Sequence, residues 1–136
     1  MIIDGRATAD DIYKTLLERR ARYGALKLGI VVVGANPVIE SFVRIKTRAA
    51  ERLNVEMVRV DLPEESATEF IVGETKKLAE RTNGIIVQLP LPAGVNVNKA
   101  LSAVPPENDV DALNPTVSEE DGKLVRYSKK SEEVIK

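Results

Sequence analysis

The sequence predicts an α/β domain of three layers, α/β/α, with helices on both faces of a mostly parallel sheet, and three observations carry that expectation. Segments with helical spacing of apolar residues alternate with short runs rich in β-branched residues, and such alternation calls for right-handed crossovers between parallel strands. The runs Ile30–Val33 and Ile85–Val87 are apolar without a polar alternate, as in strands buried on both faces. The breakers Gly24, Gly34, Pro63, Gly84 and Pro105-Pro106 fall between these segments.

Asp4 to Tyr23 reads as an amphipathic helix with Ile12, Leu16, Leu17 and Tyr23 on one side and Gly24 as its stop. Lys27 to Val33 is the first strand. Asn36 followed by Pro37 opens a second helix reaching about Leu53, because Asn accepts from an orphan amide and Pro has none to lose. Asn54 to Leu62 forms the second strand through Val55, Met57, Val58 and Val60. Ser66, with Glu69 three residues on, reads as a capping box opening a third helix through Phe70, Ile71, Leu78 and Ala79. Gly84 to Leu89 is the third strand, and Asn96 or Asn98 caps a short fourth helix stopped by Pro105. An edge strand at Lys123 to Tyr127 and a charged tail from Ser128 complete the chain. The expected organisation is one ligand-binding domain over 1–117, then a polar tail or the start of a linker over 118–136.

With 136 residues, 43% of them hydrophobic, one cored domain is expected. A formal net charge of -1 supplies no field to attract nucleic acid or an anionic membrane, so neither is an expected partner. No apolar segment is long enough for a bilayer span, which points to a soluble, cytoplasmic protein. Cysteine and histidine are both absent, which removes thiolate chemistry and the usual zinc sites, so no metal is expected and acid/base work falls to a carboxylate, Tyr or Lys.

Three places can carry chemistry. Gln88 ends the apolar run of the third strand and is followed by Pro90 and Pro92, which puts it where the strand leaves the core; it is either a ligand-facing group or a buried amide paired with backbone. Lys46 falls within the apolar stripe Ile39, Phe42, Val43, Ala49, Ala50, Leu53, four residues after Phe42 on the same face. It is either a desolvated base or a snorkelling lysine. Asp109 and Asp111 flank Val110, so in extended backbone both carboxylates point one way, for ligand binding or for turn formation. Gly34-Ala35-Asn36 follows a strand and opens a helix, yet forms neither of the glycine-rich nucleotide patterns.

Gly34-Ala35-Asn36-Pro37 with Ser41-Phe42-Val43-Arg44-Ile45-Lys46, then Gly84 to Pro92 with its Gln-Leu-Pro-Leu-Pro run, then Pro105-Pro106-Glu107-Asn108-Asp109-Val110-Asp111, resemble in order and spacing the signatures of bifunctional methylenetetrahydrofolate dehydrogenase/cyclohydrolase. The resemblance implies an enzyme of one-carbon metabolism, with tetrahydrofolate derivatives as substrates and NAD(P) as cofactor. It implies an N-terminal domain facing a separate Rossmann domain, which this chain lacks, and a homodimer in the full-length family. Lys46 would be the catalytic lysine and Gln88 its hydrogen-bonding partner. Asp111 would hold the pterin, Phe42 would stack on the aminobenzoate, and Pro90 and Leu91 would line the substrate. The chain departs from the family pattern at Phe42, where Tyr is usual, at Ile39 for Ser, at Asn108 for Lys and at Ala112 for Gly. Without the Rossmann domain, no dehydrogenase activity is expected of this chain alone, and folate binding with residual cyclohydrolase chemistry is what it could retain. The rival readings are a non-catalytic binder of folate or another flat aromatic, and a ligand-free fold fragment.

Overall fold

The computed structural model describes residues 4–34 and 36–114 in full and, of the rest, the backbone of 117–120, 123–127 and 134–135. Ala35, in the first motif named above, and most of the charged tail from Ser128 lie outside the described residues.

The elements α1 (Gly5–Arg20), β1 (Leu26–Val33), α2 (Pro37–Arg52), β2 (Val55–Leu62), α3 (Thr68–Ala79), β3 (Gly84–Val87) and α4 (Val97–Leu101) follow the expected alternation, and a 3-10 turn spans Pro106–Asn108. The sheet has the order β2-β1-β3 with both pairings parallel, from Leu26 opposite Val55 and from Leu28 opposite Gly84. Because β1 is central, its side chains are sorted to two covered faces. Val31 and Val33 join Leu62, Ile71, Leu78, Ile85 and Val87 beneath α3 and α4, whereas Ile30 and Val32 join Ile86, Ile39 and Val43 beneath α2. Each such aliphatic side chain contributes about 1.5–3 kcal/mol when fully buried. Gly29 lets α3 approach: a Cβ there would lie 2.7 Å from both Ile85 Cδ1 and Leu78 Cγ. The layers α2, sheet and α3/α4 are the three-layer α/β/α arrangement read from the sequence.

Several boundaries differ from the expectation. The N-cap of α3 is Ala67, not Ser66, and no side chain caps it; Ser66 N is already donating to Pro63 O at 3.1 Å in the turn that ends β2. Of the two candidate caps for α4, Asn96 is the one used, its Oδ1 accepting from Lys99 N at 3.0 Å. β3 stops at Val87, although Gln88 N still donates to Val31 O at 2.9 Å. α1 ends at Arg20, before Gly24, and it buries none of its residues. Its apolar side does not join the core: Ile12, Leu17 and Tyr23 are exposed. α1 is tied on by polar groups instead, Arg52 bonding Asp10 at 2.7 Å and lying 3.8 Å over the Tyr13 ring while Arg20 Nη2 donates to Asn54 O at 2.8 Å.

The C-terminal segment also differs. Lys123–Tyr127 is no edge of the main sheet but the centre of a second, antiparallel sheet of order β4-β5-β6, with β4 at Val117–Glu120 and β6 at Val134–Ile135. β6 lies within the stretch expected to be only a tail. β4 and β5 pair antiparallel from Val117 opposite Arg126 to Glu120 opposite Lys123.

Candidate active site

α2 starts at the carboxyl end of the sheet because Asn36 Oδ1 accepts from Val38 N at 2.8 Å and Ile39 N at 3.4 Å, with Pro37 at the first helical position. Ile39, Val43 and Ala50 form its buried line, and Lys46, three residues after Val43, lies at the margin of that line rather than on the outer face. On β3, Ile86 packs toward α2, and side chains two apart share a face of a strand. Gln88 continues that face just past the strand end, which aims it at α2.

The two meet there. Lys46 Nζ donates to Gln88 Oε1 at 2.9 Å, and Gln88 Nε2 donates to its neighbour's carbonyl, Leu89 O, at 2.7 Å. Gln88 is buried and backbone-paired through its nitrogen, as one of its two readings has it, and its oxygen is presented to the lysine. Lys46 is not a freely snorkelling side chain, because its ammonium is anchored by this bond. The Leu89–Pro90 peptide that follows is cis.

The loop after the 3-10 turn brings the third member. Asp109 and Asp111 do not point the same way, contrary to the extended-backbone expectation, because Asp109 is drawn into the loop. Its carboxylate accepts from Leu113 N at 3.2 Å and Asn114 N at 3.0 Å. Asp111 turns outward, its Oδ2 4.0 Å from Lys46 Nζ, and Lys46 is its one partner among the described residues. Of the pair, one carboxylate builds the loop and one faces the site.

Three other residues hold this loop and were not singled out for that role in the sequence. Asn108, read as a departure from a family lysine, donates through Nδ2 to Thr82 O and Asn83 O at 3.1 and 3.2 Å, which ties the loop to the turn before β3. Asn114 is buried and donates to Val104 O at 2.7 Å. Val110 lies over Gly84, where an added Cβ would stand 2.7 Å from Val110 Cγ1. The readable signal was the density of Asn and Asp, residues that bond nearby backbone.

Phe42 shares the helix face of Lys46 and is 53% exposed, so its ring is open to a ligand. Pro90 and Leu91 line a cavity that does not include Lys46, Gln88 or Asp111. It is small, about 120 Å³, and they share its lining with Pro92, Val33, Ile39 and Glu64 over the carboxyl ends of the strands. The site thus consists of an amine held by a neutral acceptor, one carboxylate without a hydrogen bond of its own among the described residues, an open aromatic ring and a separate small cavity of mixed polar and apolar lining. Such a set can recognise a flat ligand with N–H donors and pass a proton at one of its atoms. Among the described residues no group of three or more Asp or Glu is arranged to hold a metal ion, and no helix is long and apolar enough to cross a membrane.

Comparison with known proteins gives consistent results. Residues 3–111 match the family described as tetrahydrofolate dehydrogenase/cyclohydrolase, catalytic domain. A bifunctional protein FolD from Methanoculleus marisnigri is 37% identical over 118 residues, covering 85% of this chain and 42% of that protein. A solved 5,10-methylenetetrahydrofolate dehydrogenase from the silkworm Bombyx mori superposes with a TM-score of 0.78 at 29% identity, over 82% of this chain and 41% of that one. The Trypanosoma brucei methylenetetrahydrofolate dehydrogenase-cyclohydrolase, solved with NADP and an inhibitor, gives a TM-score of 0.74 at 35% identity, over 80% of this chain and 39% of its own. The chain spans about two-fifths of the length of these relatives.

Proposed function

The chain belongs to the tetrahydrofolate dehydrogenase/cyclohydrolase family, matching its catalytic domain over residues 3–111, and on that premise we propose that it is the folate-binding half of such an enzyme, working on 5,10-methylene- and 5,10-methenyltetrahydrofolate in one-carbon metabolism. The hydrogen bond from Lys46 Nζ to Gln88 Oε1, with Asp111 beside it, is the observation that carries this reading.

Each residue has a chemical task. The methenyl substrate is a planar cationic imidazolinium, already electrophilic, so the protein need only position it and manage protons while water adds and the ring opens to 10-formyltetrahydrofolate. Lys46 handles those protons, and Gln88 holds the ammonium in line. Asp111 accepts from the amide and amino groups of the pterin. Phe42 stacks on the aminobenzoate, and Pro90 and Leu91 form the wall beside it. The Trypanosoma relative solved with NADP supports NAD(P) as the hydride acceptor of the whole enzyme. No residue of this chain is assigned to that cofactor, since Gly34 to Pro37 forms no nucleotide loop.

The test is a titration of the purified chain with 5,10-methenyltetrahydrofolate, following binding and then loss of its absorbance. The wild type is expected to bind and to hydrolyse the ligand faster than buffer, and Lys46→Ala to bind with hydrolysis reduced about 100-fold, the size of a general acid–base contribution. At saturating NADP with the methylene substrate, no NADPH forms. Equal hydrolysis by Lys46→Ala, or no binding by either protein, overturns the assignment.

A further inference from the structure

Lys46 reaches two acceptors of different kinds. The bond to Gln88 Oε1 at 2.9 Å is short and its acceptor cannot turn away, because the other end of the amide is committed to Leu89 O. The approach to Asp111 Oδ2, at 4.0 Å, is an ion pair without a hydrogen bond. The side chains of Lys46 and Asp111 are 33% and 37% exposed, so water and ligand reach the carboxylate from the open side. The loop keeps that carboxylate in place, since Asp109 bonds to the amides of Leu113 and Asn114 and Asn108 is tied to Thr82 O and Asn83 O.

We propose that Lys46 and the ligand compete for the carboxylate of Asp111, so that binding a heterocycle with two adjacent N–H donors strips Lys46 of its counter-ion and leaves Gln88 as its acceptor. The inference rests on the reading that Asp111 receives the amide and amino groups of a pterin. A carboxylate that accepts two parallel N–H bonds spends its charge on them, and whatever the ligand takes from the ion pair, the ion pair takes from ligand affinity, because coupling between two binding events is reciprocal. Asp111 then has two functions. It recognises the ring, and it frees the ammonium only when a ring with the correct donor pair is in place. Gln88 keeps the released ammonium from swinging into solvent, so the lysine stays aligned while its electrostatic surroundings change.

The experiment is isothermal titration of the purified chain with pterin, 2-amino-4-oxopteridine, which carries the donor pair but no reacting carbon. It compares the wild type, Lys46→Met, Asp111→Asn and the double variant, with thermal melts confirming that each is folded. Lys46→Met is expected to bind about 2- to 5-fold more tightly than the wild type, the size expected of a partly solvated ion pair. Asp111→Asn is expected to lose about 10-fold or more, with the double variant no tighter than Asp111→Asn. A Lys46→Met protein that binds equally or more weakly while the wild type binds overturns the competition and leaves the folate reading standing. So does an Asp111→Asn protein with unchanged affinity. If neither the wild type nor Lys46→Met binds at millimolar pterin, the folate reading itself falls, and the inference with it.

Discussion

At the scale of single residues, Ala112 is the most informative neighbour of the site. Its φ of +59° puts an L-residue in the left-handed region next to Asp111, which costs about 1–2 kcal/mol, whereas glycine there would cost about 0.5–1 kcal/mol in extra unfolded-state freedom. Ala112→Gly is therefore expected to stabilise the protein by about 0.5–1 kcal/mol, read as a rise in the urea midpoint; a fall would show that the loop does not hold this conformation. The other non-glycine residue with positive φ among the described residues, Asn54, sits just past the end of α2, where Asn tolerates the geometry. Lys46 and Gln88 were legible in the sequence because each interrupts an apolar pattern, a stripe of period 3.6 on the helix and the unbroken run Ile85–Val87 on the strand. The division of labour between Asp109 and Asp111 was not. It depends on which carboxylate meets the amides of Leu113 and Asn114, and that depends on a tight loop rather than an extended segment.

At the scale of elements, α2 is fastened to the edge strand β2 by a charged clasp. Arg59 donates Nε to both oxygens of Asp61 at 2.8 and 2.9 Å and Nη1 to Glu40 Oε2 at 2.9 Å. The bond from Arg59 holds the Glu40 carboxyl below its ordinary value of 4.5, and the same carboxylates push the Arg59 guanidinium up. A lowered acid contributes stability that is full above its ordinary value and lost as pH falls through the lowered one. Glu40→Gln is accordingly expected to lower the melting temperature slightly at pH 7 and to flatten its decline below about pH 4.5, measured by thermal melts from pH 7 to pH 3. An acid limb as steep as the wild type's would remove Glu40 from the clasp. The clasp follows from strand parity: Arg59 and Asp61 lie on the same face as Met57, which packs toward α2. The sequence supported β2 as a strand through Val55, Met57, Val58 and Val60, but its edge position came only with the sheet order, so the reason for charges on an inward face could not be read. The cap of α3 was missed for a related reason: Ser66 had the right chemistry, but the turn from Pro63 had already taken its amide.

At the scale of the whole molecule, the order of elements and the three-layer arrangement were legible because β1 and β3 carry apolar residues on both faces, which only a covered sheet requires. The position of α1 was not legible, since an amphipathic pattern states that a helix has an apolar side and not what covers it. With Ile12 and Leu17 exposed, α1 depends on Arg52 and Arg20 for attachment. Arg52→Ala is expected to speed hydrogen exchange of the α1 amides about 3- to 10-fold while leaving β1 amides unchanged, because local opening is governed by the contacts of the opening segment; equal acceleration in both would show that α1 is part of the global unit. The seat of Val110 over Gly84 also has a consequence for how the site is held. The loop carrying Asp111 rests on β3 and the turn before it, through the carbonyls of Thr82 and Asn83 and the bridge from Asp109 to Ile85. The amine and its amide partner thus belong to the helix and the strand end, and the carboxylate is a latch laid across that frame.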